Sequence, residues 1–242
     1  MPSFPPLAVN ARLRWSVVKP YLDELAPRRI LEIGCGQGGF GARLAARAEY
    51  LGVEPDATSW EVASSRIEPH GGRVLHGTSD LVAPDPTFDL VCAFEVIEHL
   101  EDDSASVTDW ARRVRPGGAL MVSVPAFQER FGSWDRHVGH YRRYSPGDLE
   151  ATLSKAGLSS VRTTVYGWPL GFLLEQVRNR VADRRVGAEK ATMGDRTAQS
   201  GRLLQPKELL GVGIEIGCAP FEALQRTHPA SGTGAVAVGL KL

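Results

Sequence analysis

The chain has 242 residues, with 28 basic and 28 acidic side chains, a formal net charge of zero, 43% hydrophobic residues and 23% charged ones. That length buries a sizeable core in a single domain, and the charge balance gives no global attraction to nucleic acid, which is not an expected partner. Three scattered cysteines without a CxxC pair argue against a disulfide framework, no run of 18 apolar residues spans a bilayer, and the N-terminal MPSFPPLAVNARLRW lacks the order of a signal peptide, so the expected location is cytoplasmic.

Taken in chain order, a helix is expected over 10–25, covering the ligand edge of the elements that follow. RRILEIG (28–34) reads as a strand running into glycines, and FGARLAARA (40–48) as a helix. YLGVEP (50–55) is strand-like, TSWEVASSRI (58–67) is helical from a Thr or Ser cap, and RVLHGT (73–78) is a strand. FDLVCAFEV (88–96) is the most apolar strand, as a central parallel strand buried on both faces should be. Cys92 within it, and Cys35 after the first strand, read as small buried residues. SASVTDWARRVR (104–115) is helical and stops at Pro116-Gly117-Gly118, after which GALMVSVPA (118–126) is a strand. Repeated strand–helix units predict an α/β, doubly wound, mostly parallel sheet. Right-handed crossovers bring the strands' C-terminal ends, where such sheets bind ligands, to one edge.

Beyond residue 126 the alternation loosens. FQERFGSWDRHVGHYRRY (127–144) has little apolar period and reads as a lid loop over the ligand edge; its Trp134, Tyr141, Tyr144, Arg136, Arg142 and Arg143 suit a flat or anionic substrate. SPGDLEATLSKAGL (145–158) is a helix capped by Ser145 with Pro146 at its first position, and SSVRTTVYG (159–167) is a strand. A helical and partly mobile insertion is expected over 168–208. Within it Leu170, Leu173, Leu174, Val177 and Val181 form one stripe of an amphipathic helix over 169–185, and residues 186–205 read as mobile. Residues 178–207 carry eight Lys or Arg against three Asp or Glu, so peripheral membrane contact through 169–185 is an alternative to a plain solvated face. A helix near 206–224 and a strand over 234–242 complete one domain.

Two motifs carry chemistry. ILEIGCGQGGF places Gly34, Gly36 and Gly38 between a strand and a helix, and Glu54 ends the next strand, where a carboxylate can accept both hydroxyls of a ribose. The G-x-G-x-G spacing, with Glu32 two residues before it, disfavours a pyrophosphate and hence a nicotinamide dinucleotide, but suits a ligand bearing an ammonium group. FEVIEHLEDD (94–103) sets Glu95, Glu98 and His99 at i, i+3 and i+4 after the central strand, which on a helical turn is one face.

E-x-G-x-G-x-G with an acid closing the next strand resembles the class I methyltransferases that use S-adenosylmethionine and release S-adenosylhomocysteine. The likeness runs over about 28–158, with 28–126 as the cofactor-binding core of a Rossmann-like methyltransferase fold, and RPGGALMVSVP (115–125) resembles the family's segment after the sheet. By position the resemblance puts Glu32 and Gly34 near the methionine part and Gly36 and Gly38 under the cofactor. Glu54 would hold the ribose, Ser79 and Asp80 the adenine, and Phe94 would line the cofactor. E-x-x-E-H also resembles two metal-dependent groups, the O-methyltransferases of the ubiquinone pathway and those of the 2′-hydroxyl at small-RNA 3′ ends. In these, Mg²⁺ sits on residues at the positions of Glu95, Glu98, His99 and a lid histidine, for which His140 is better spaced than His137. In metal-free small-molecule members Glu95 faces the cofactor rim, Glu98 is solvated and the histidine packs or serves as base. The resemblance implies methyl transfer to a small molecule, at oxygen, with His99, His140 and Glu95 as catalytic candidates. The alternatives are a metal-dependent RNA methyltransferase, a quinone-like or lipid-linked substrate met at a membrane surface, and a cofactor-binding protein without catalysis.

Overall fold

A computed structural model describes residues 3–85, 87–185 and 208–242. In chain order the elements are α1 (Val9–Leu25), β1 (Arg29–Ile33), α2 (Gly41–Ala45), β2 (Glu49–Glu54), α3 (Ala57–Ile67), β3 (Arg73–His76), β4 (Phe88–Phe94) and α4 (Asp103–Arg113). They continue with β5 (Val114–Pro125), α5 (Ser133–Val138), α6 (Pro146–Lys155), β6 (Leu158–Gly167), α7 (Leu170–Arg185), α8 (Glu208–Gln225) and β7 (Gly232–Lys241). The expected mobile segment over 186–205 lies outside the described residues.

Seven strands form one sheet in the order β3-β2-β1-β4-β5-β7-β6. β1 pairs in parallel with β2 on one side and β4 on the other, so the order reverses there and opens a crevice at the strands' C-terminal ends. β7 is antiparallel to both β5 and β6, a departure from a wholly parallel sheet. Nothing in a strand's own residues records its direction; the return of the chain through α8 sets it.

Alternate strand residues feed two cores, one on each face. Ile30, Leu90, Cys92 and Met121 pack with Leu13, Val18 and Leu22 of α1 and with Leu44 and Ile67. Leu31, Val91, Leu120 and Val122 pack with Val107 and Trp110 of α4 and Leu149 and Leu153 of α6. Cys35, Cys92 and Cys218 are all free thiols and buried.

Several local expectations shift. α3 is capped by Asp56, whose carboxylate accepts from the Ser59 amide at 2.8 Å, instead of by Thr or Ser. α4 ends at Arg113 and β5 starts at Val114, because Pro116 disfavours helical backbone in the residue before it. Residues 127–144 hold a 3₁₀ turn (Gln128–Arg130) and α5, in place of a plain loop. α5 escapes an apolar-period reading because polar contacts fix it: the Gly132 amide donates to Asp135 at 2.8 Å, and Gly139 ends it at φ 80°. α6 has the Ser145 cap, with the Asp148 amide donating to its hydroxyl at 3.1 Å. On α7 the stripe of Leu173, Val177 and Val181 faces outward and is exposed, while Glu175 and Ala182 are buried on the opposite side.

Candidate functional site

A cavity of about 760 Å³ opens over the C-terminal ends of β1, β2 and β4, walled by α1, α5 and α7. Its two ends differ in chemistry.

At one end the glycine loop leaves β1. Gly34 takes φ 67°, and a Cβ there would meet Val96 at 2.8 Å, so only glycine fits without movement. Gly36, at φ 54°, has nothing within 4 Å of where a Cβ would sit: its backbone faces open space that a ligand can enter. The Gly36 amide donates to one oxygen of Glu54 at 2.8 Å and the Asp56 amide to the other at 2.9 Å. Burial raises the pKa of Glu54, those two amides acting against it. Glu32 is almost fully buried and accepts from the Tyr50 hydroxyl at 2.6 Å. Burial raises its pKa to about 8, partly offset by that hydrogen bond and by the Arg14 charge.

Glu32, Gly34, Gly36, Glu54 and Phe94, the positions that the resemblance assigns to the cofactor, all line the cavity. Gly38 does not; its Cβ position faces Ala63 and Ile67, so its glycine serves the packing of the loop on α3. Ser79 and Asp80 form a 3₁₀ turn after β3 and are not among the lining residues. The Ser79 carbonyl accepts from Arg113 at 3.0 Å, and Asp80 accepts from Thr78 at 2.9 Å.

The other end is built from the end of β4 and the lid. β4 stops at Phe94 because Glu95 takes a left-handed φ of 59°, a conformation of order 1–3 kcal/mol above the ordinary ones for a non-glycine residue. Only Ile97–His99 then form a 3₁₀ turn, so Glu95, Glu98 and His99 do not share a helical face. Glu95 turns to Ser123 (3.2 Å), Tyr166 (3.4 Å) and the Arg14 guanidinium (3.6 Å). Glu98 turns inward and is fully buried, not solvated, and among the described residues neither carboxylate oxygen has a hydrogen-bond partner. Burial raises its pKa well above the carboxylate range, and the Glu95 charge adds to the effect.

His99 and His140 meet edge to face, with ring centroids 4.6 Å apart. Burial lowers the His99 pKa to about 3, with the His140 charge adding to it, so its imidazole is neutral at any pH near 7. His140 Nδ1 lies 2.7 Å from Asp135 Oδ1. Burial acts to raise the Asp135 pKa, but hydrogen bonds from His140 and Arg143, the Arg143 charge and the Gly132 amide outweigh it and hold the acid far below its usual range. An ionised carboxylate only accepts, so Nδ1 carries a proton, which leaves Nε2 as the lone-pair nitrogen of the neutral ring. Nε2 is 4.0 Å from Glu98 Oε1. One ligand atom each from Glu98, His99 and His140 lies within 4.8 Å of the others, and Glu95 is not in that group.

Asp135 is itself clamped. Arg143 donates to it through Nε at 2.9 Å and Nη2 at 2.7 Å and reaches Glu175 through Nη1. Of the lid residues marked in sequence, Trp134, His140 and Arg143 line the cavity. Tyr144 is buried against Asp103, while Tyr141, Arg142 and His137 are not among the lining residues. Sequence reasoning missed Arg14, Asp135, Tyr166 and Arg178. Only Asp135 leaves a trace, as the acid three residues after Gly132 whose carboxylate accepts from that glycine's amide.

A family model for a methyltransferase domain matches residues 11–163. A probable S-adenosylmethionine-dependent methyltransferase of Mycolicibacterium smegmatis is 39% identical over 101 residues, 41% of this chain and 39% of that protein. A ubiquinone biosynthesis O-methyltransferase of Rhizobium etli (strain CIAT 652) is 34% identical over 172 residues, 61% of this chain and 69% of that one. The chain spans 39% to 53% of the length of the first mycobacterial relatives it matches. Among solved structures, the YcgJ protein of Bacillus subtilis superposes with a TM-score of 0.59 at 18% identity, over 95% of this chain and 99% of that one, which speaks for the fold. With the strand order, the glycine loop and these matches together, the chain belongs to the class I S-adenosylmethionine-dependent methyltransferases.

Proposed function

We propose that this chain transfers the methyl group of S-adenosylmethionine to a hydroxyl oxygen of a small molecule, with His140 as general base. One observation carries the reading: the same cavity that exposes the Gly36 backbone and Glu54 also holds an imidazole whose Nδ1 is tied to a buried, ionised aspartate. The sulfonium supplies an already activated methyl; the protein's part is alignment and removal of the acceptor's proton. His140 Nε2 accepts that proton from the attacking hydroxyl, and Asp135 stabilises the imidazolium that forms. His99, held neutral with a pKa of about 3, is too weak a base for that role and serves as a wall against His140. Oxygen as the attacking atom agrees with the ubiquinone biosynthesis O-methyltransferases among the relatives. The test is turnover across a panel of hydroxylated acceptors. His140→Ala should lose about 10²-fold or more, the usual contribution of a general base, with affinity for S-adenosylhomocysteine kept. A variant as fast as the wild type removes His140 from the chemistry.

A second reading has its own observation, the fully buried Glu98 carboxyl beside two imidazoles, its two oxygens without a hydrogen-bond partner among the described residues. Those residues fit a divalent cation, which would act on the acceptor oxygen as a Lewis acid. Glu98, His99 and His140 would hold it, His140 with its outer nitrogen on Asp135. Activity lost in EDTA and restored by Mg²⁺ or Mn²⁺ would establish this reading; full activity in EDTA rules it out.

A further inference from the structure

The lid end of the cavity holds a guanidinium that pairs with no carboxylate among the described residues. Arg178 lies on α7 three residues after Glu175 and beside Asn179, on the cavity wall. The acids that attract it are already engaged, Glu95 with the Arg14 guanidinium at 3.6 Å, and so is Asp135 on the same cavity wall. Glu175 accepts from Arg143 on one oxygen and from Arg130 on the other. Asp135 accepts from His140 and Arg143 on one oxygen and from Arg143 and the Gly132 amide on the other. Among the described residues Arg178 makes no hydrogen bond or ion pair, and its guanidinium sits 5.7 Å from the centroid of the Trp134 ring. Burial depresses its pKa, against the attraction of Glu95, Glu175 and Tyr166.

Its placement is enforced. Asn179 Oδ1 accepts from the Trp134 amide at 2.9 Å, tying α7 to α5, and the Glu175 ion pairs hold α7 on the other side of Arg178. A half-buried charge with no hydrogen-bonded counter-ion among the described residues is stabilised when a ligand supplies one. A fixed guanidinium offers a planar set of donors matched to a carboxylate or a phosphate, and Trp134 beside it offers an apolar face.

We propose that Arg178 is an anion subsite for the acceptor: the molecule methylated carries a carboxylate or phosphate that pairs with Arg178 while its apolar part lies along Trp134. This rests on the methyltransferase reading of the same cavity and narrows its acceptor to an anionic small molecule. Arg178 then sets which acceptors bind and takes no part in the chemical step.

The experiment titrates the full chain, saturated with S-adenosylhomocysteine, with benzoate, phenyl phosphate and the neutral analogue benzamide, read by calorimetry. One or both anions should bind at least tenfold more tightly than benzamide, and which of them binds better tells carboxylate from phosphate. Arg178→Gln should abolish the preference, and Arg178→Lys, which keeps the charge, should retain part of it and guards against a lid that fails to fold in the first variant. Affinity for S-adenosylhomocysteine should stay within twofold throughout. Equal binding of anions and benzamide to the wild type, or a preference that survives Arg178→Gln, overturns the subsite and leaves the cofactor site standing. Failure of S-adenosylhomocysteine to bind the wild type overturns the methyltransferase reading and the subsite with it.

Discussion

Glu54 and Glu32 lie at the glycine-loop end of the cavity, and their surroundings differ. Glu54 has one backbone amide on each oxygen and keeps accepting capacity toward the cavity. Glu54→Ala should weaken S-adenosylhomocysteine binding by about 1–3 kcal/mol, the range for losing charge-assisted hydrogen bonds, as calorimetry would show. Glu32 is a buried acid with its pKa raised to about 8. The folded state therefore keeps a proton that the unfolded chain, near the ordinary value of 4.5, has lost, so this group's contribution to stability is full below pH 4.5 and is lost as pH rises through 8. His99 works the other way: with a folded pKa of about 3 its contribution is present above 6.5 and lost as pH falls toward 3. The two oppose each other between 4.5 and 6.5, and from 6.5 to 8 the Glu32 effect acts without that opposition. The ligand-free melting temperature should fall over 6.5–8, and Glu32→Gln, which preserves a partner for Tyr50, should reduce the fall. An unchanged slope in the variant would show that Glu32 ionises freely in the fold.

At the scale of elements, the glycine loop and Glu54 were legible because strand, turn, helix and the next strand's last residue are consecutive pieces of one chain. The α5 lid was not, since Asp135 owes its role to Arg143 eight residues on, and Arg143 to Glu175, thirty-two further on another helix. Arg14 is equally silent in sequence: it reaches Ser123 from 109 residues away. The E-x-x-E-H motif was legible as a cluster of ionisable groups at the cavity and misleading as geometry, because the left-handed backbone at Glu95 sends it and Glu98 to different neighbours. Two element-scale outcomes follow. Asp135→Ala leaves Arg143 short of one counter-charge in a buried site and should cost about 3–5 kcal/mol, as broken buried pairs do, measured by urea unfolding. Ser145→Ala removes the α6 cap and should cost about 1 kcal/mol by the same method. A cost for Asp135→Ala no larger than for the cap would mean that the lid cluster is solvated.

For the whole molecule, alternating strands and helices made the doubly wound sheet readable, whereas the antiparallel β7 and the walls from α1, α5 and α7 depend on packing between distant segments. Those walls turn an open sheet edge into a cavity with the glycine loop at one end and the His140–Asp135 pair at the other. The central claim is that a methyl group crosses that cavity from sulfonium to oxygen under the His140–Asp135 pair. Its most direct test supplies S-adenosylmethionine labelled in the methyl group, with a panel of hydroxylated small acids, to the wild type and to His140→Ala, and locates the label by mass spectrometry and NMR. The account predicts an O-methyl product from the wild type and about 10²-fold less from the variant, with cofactor binding equal in both. Label on nitrogen or carbon, or equal O-methyl product from the two proteins, would contradict it.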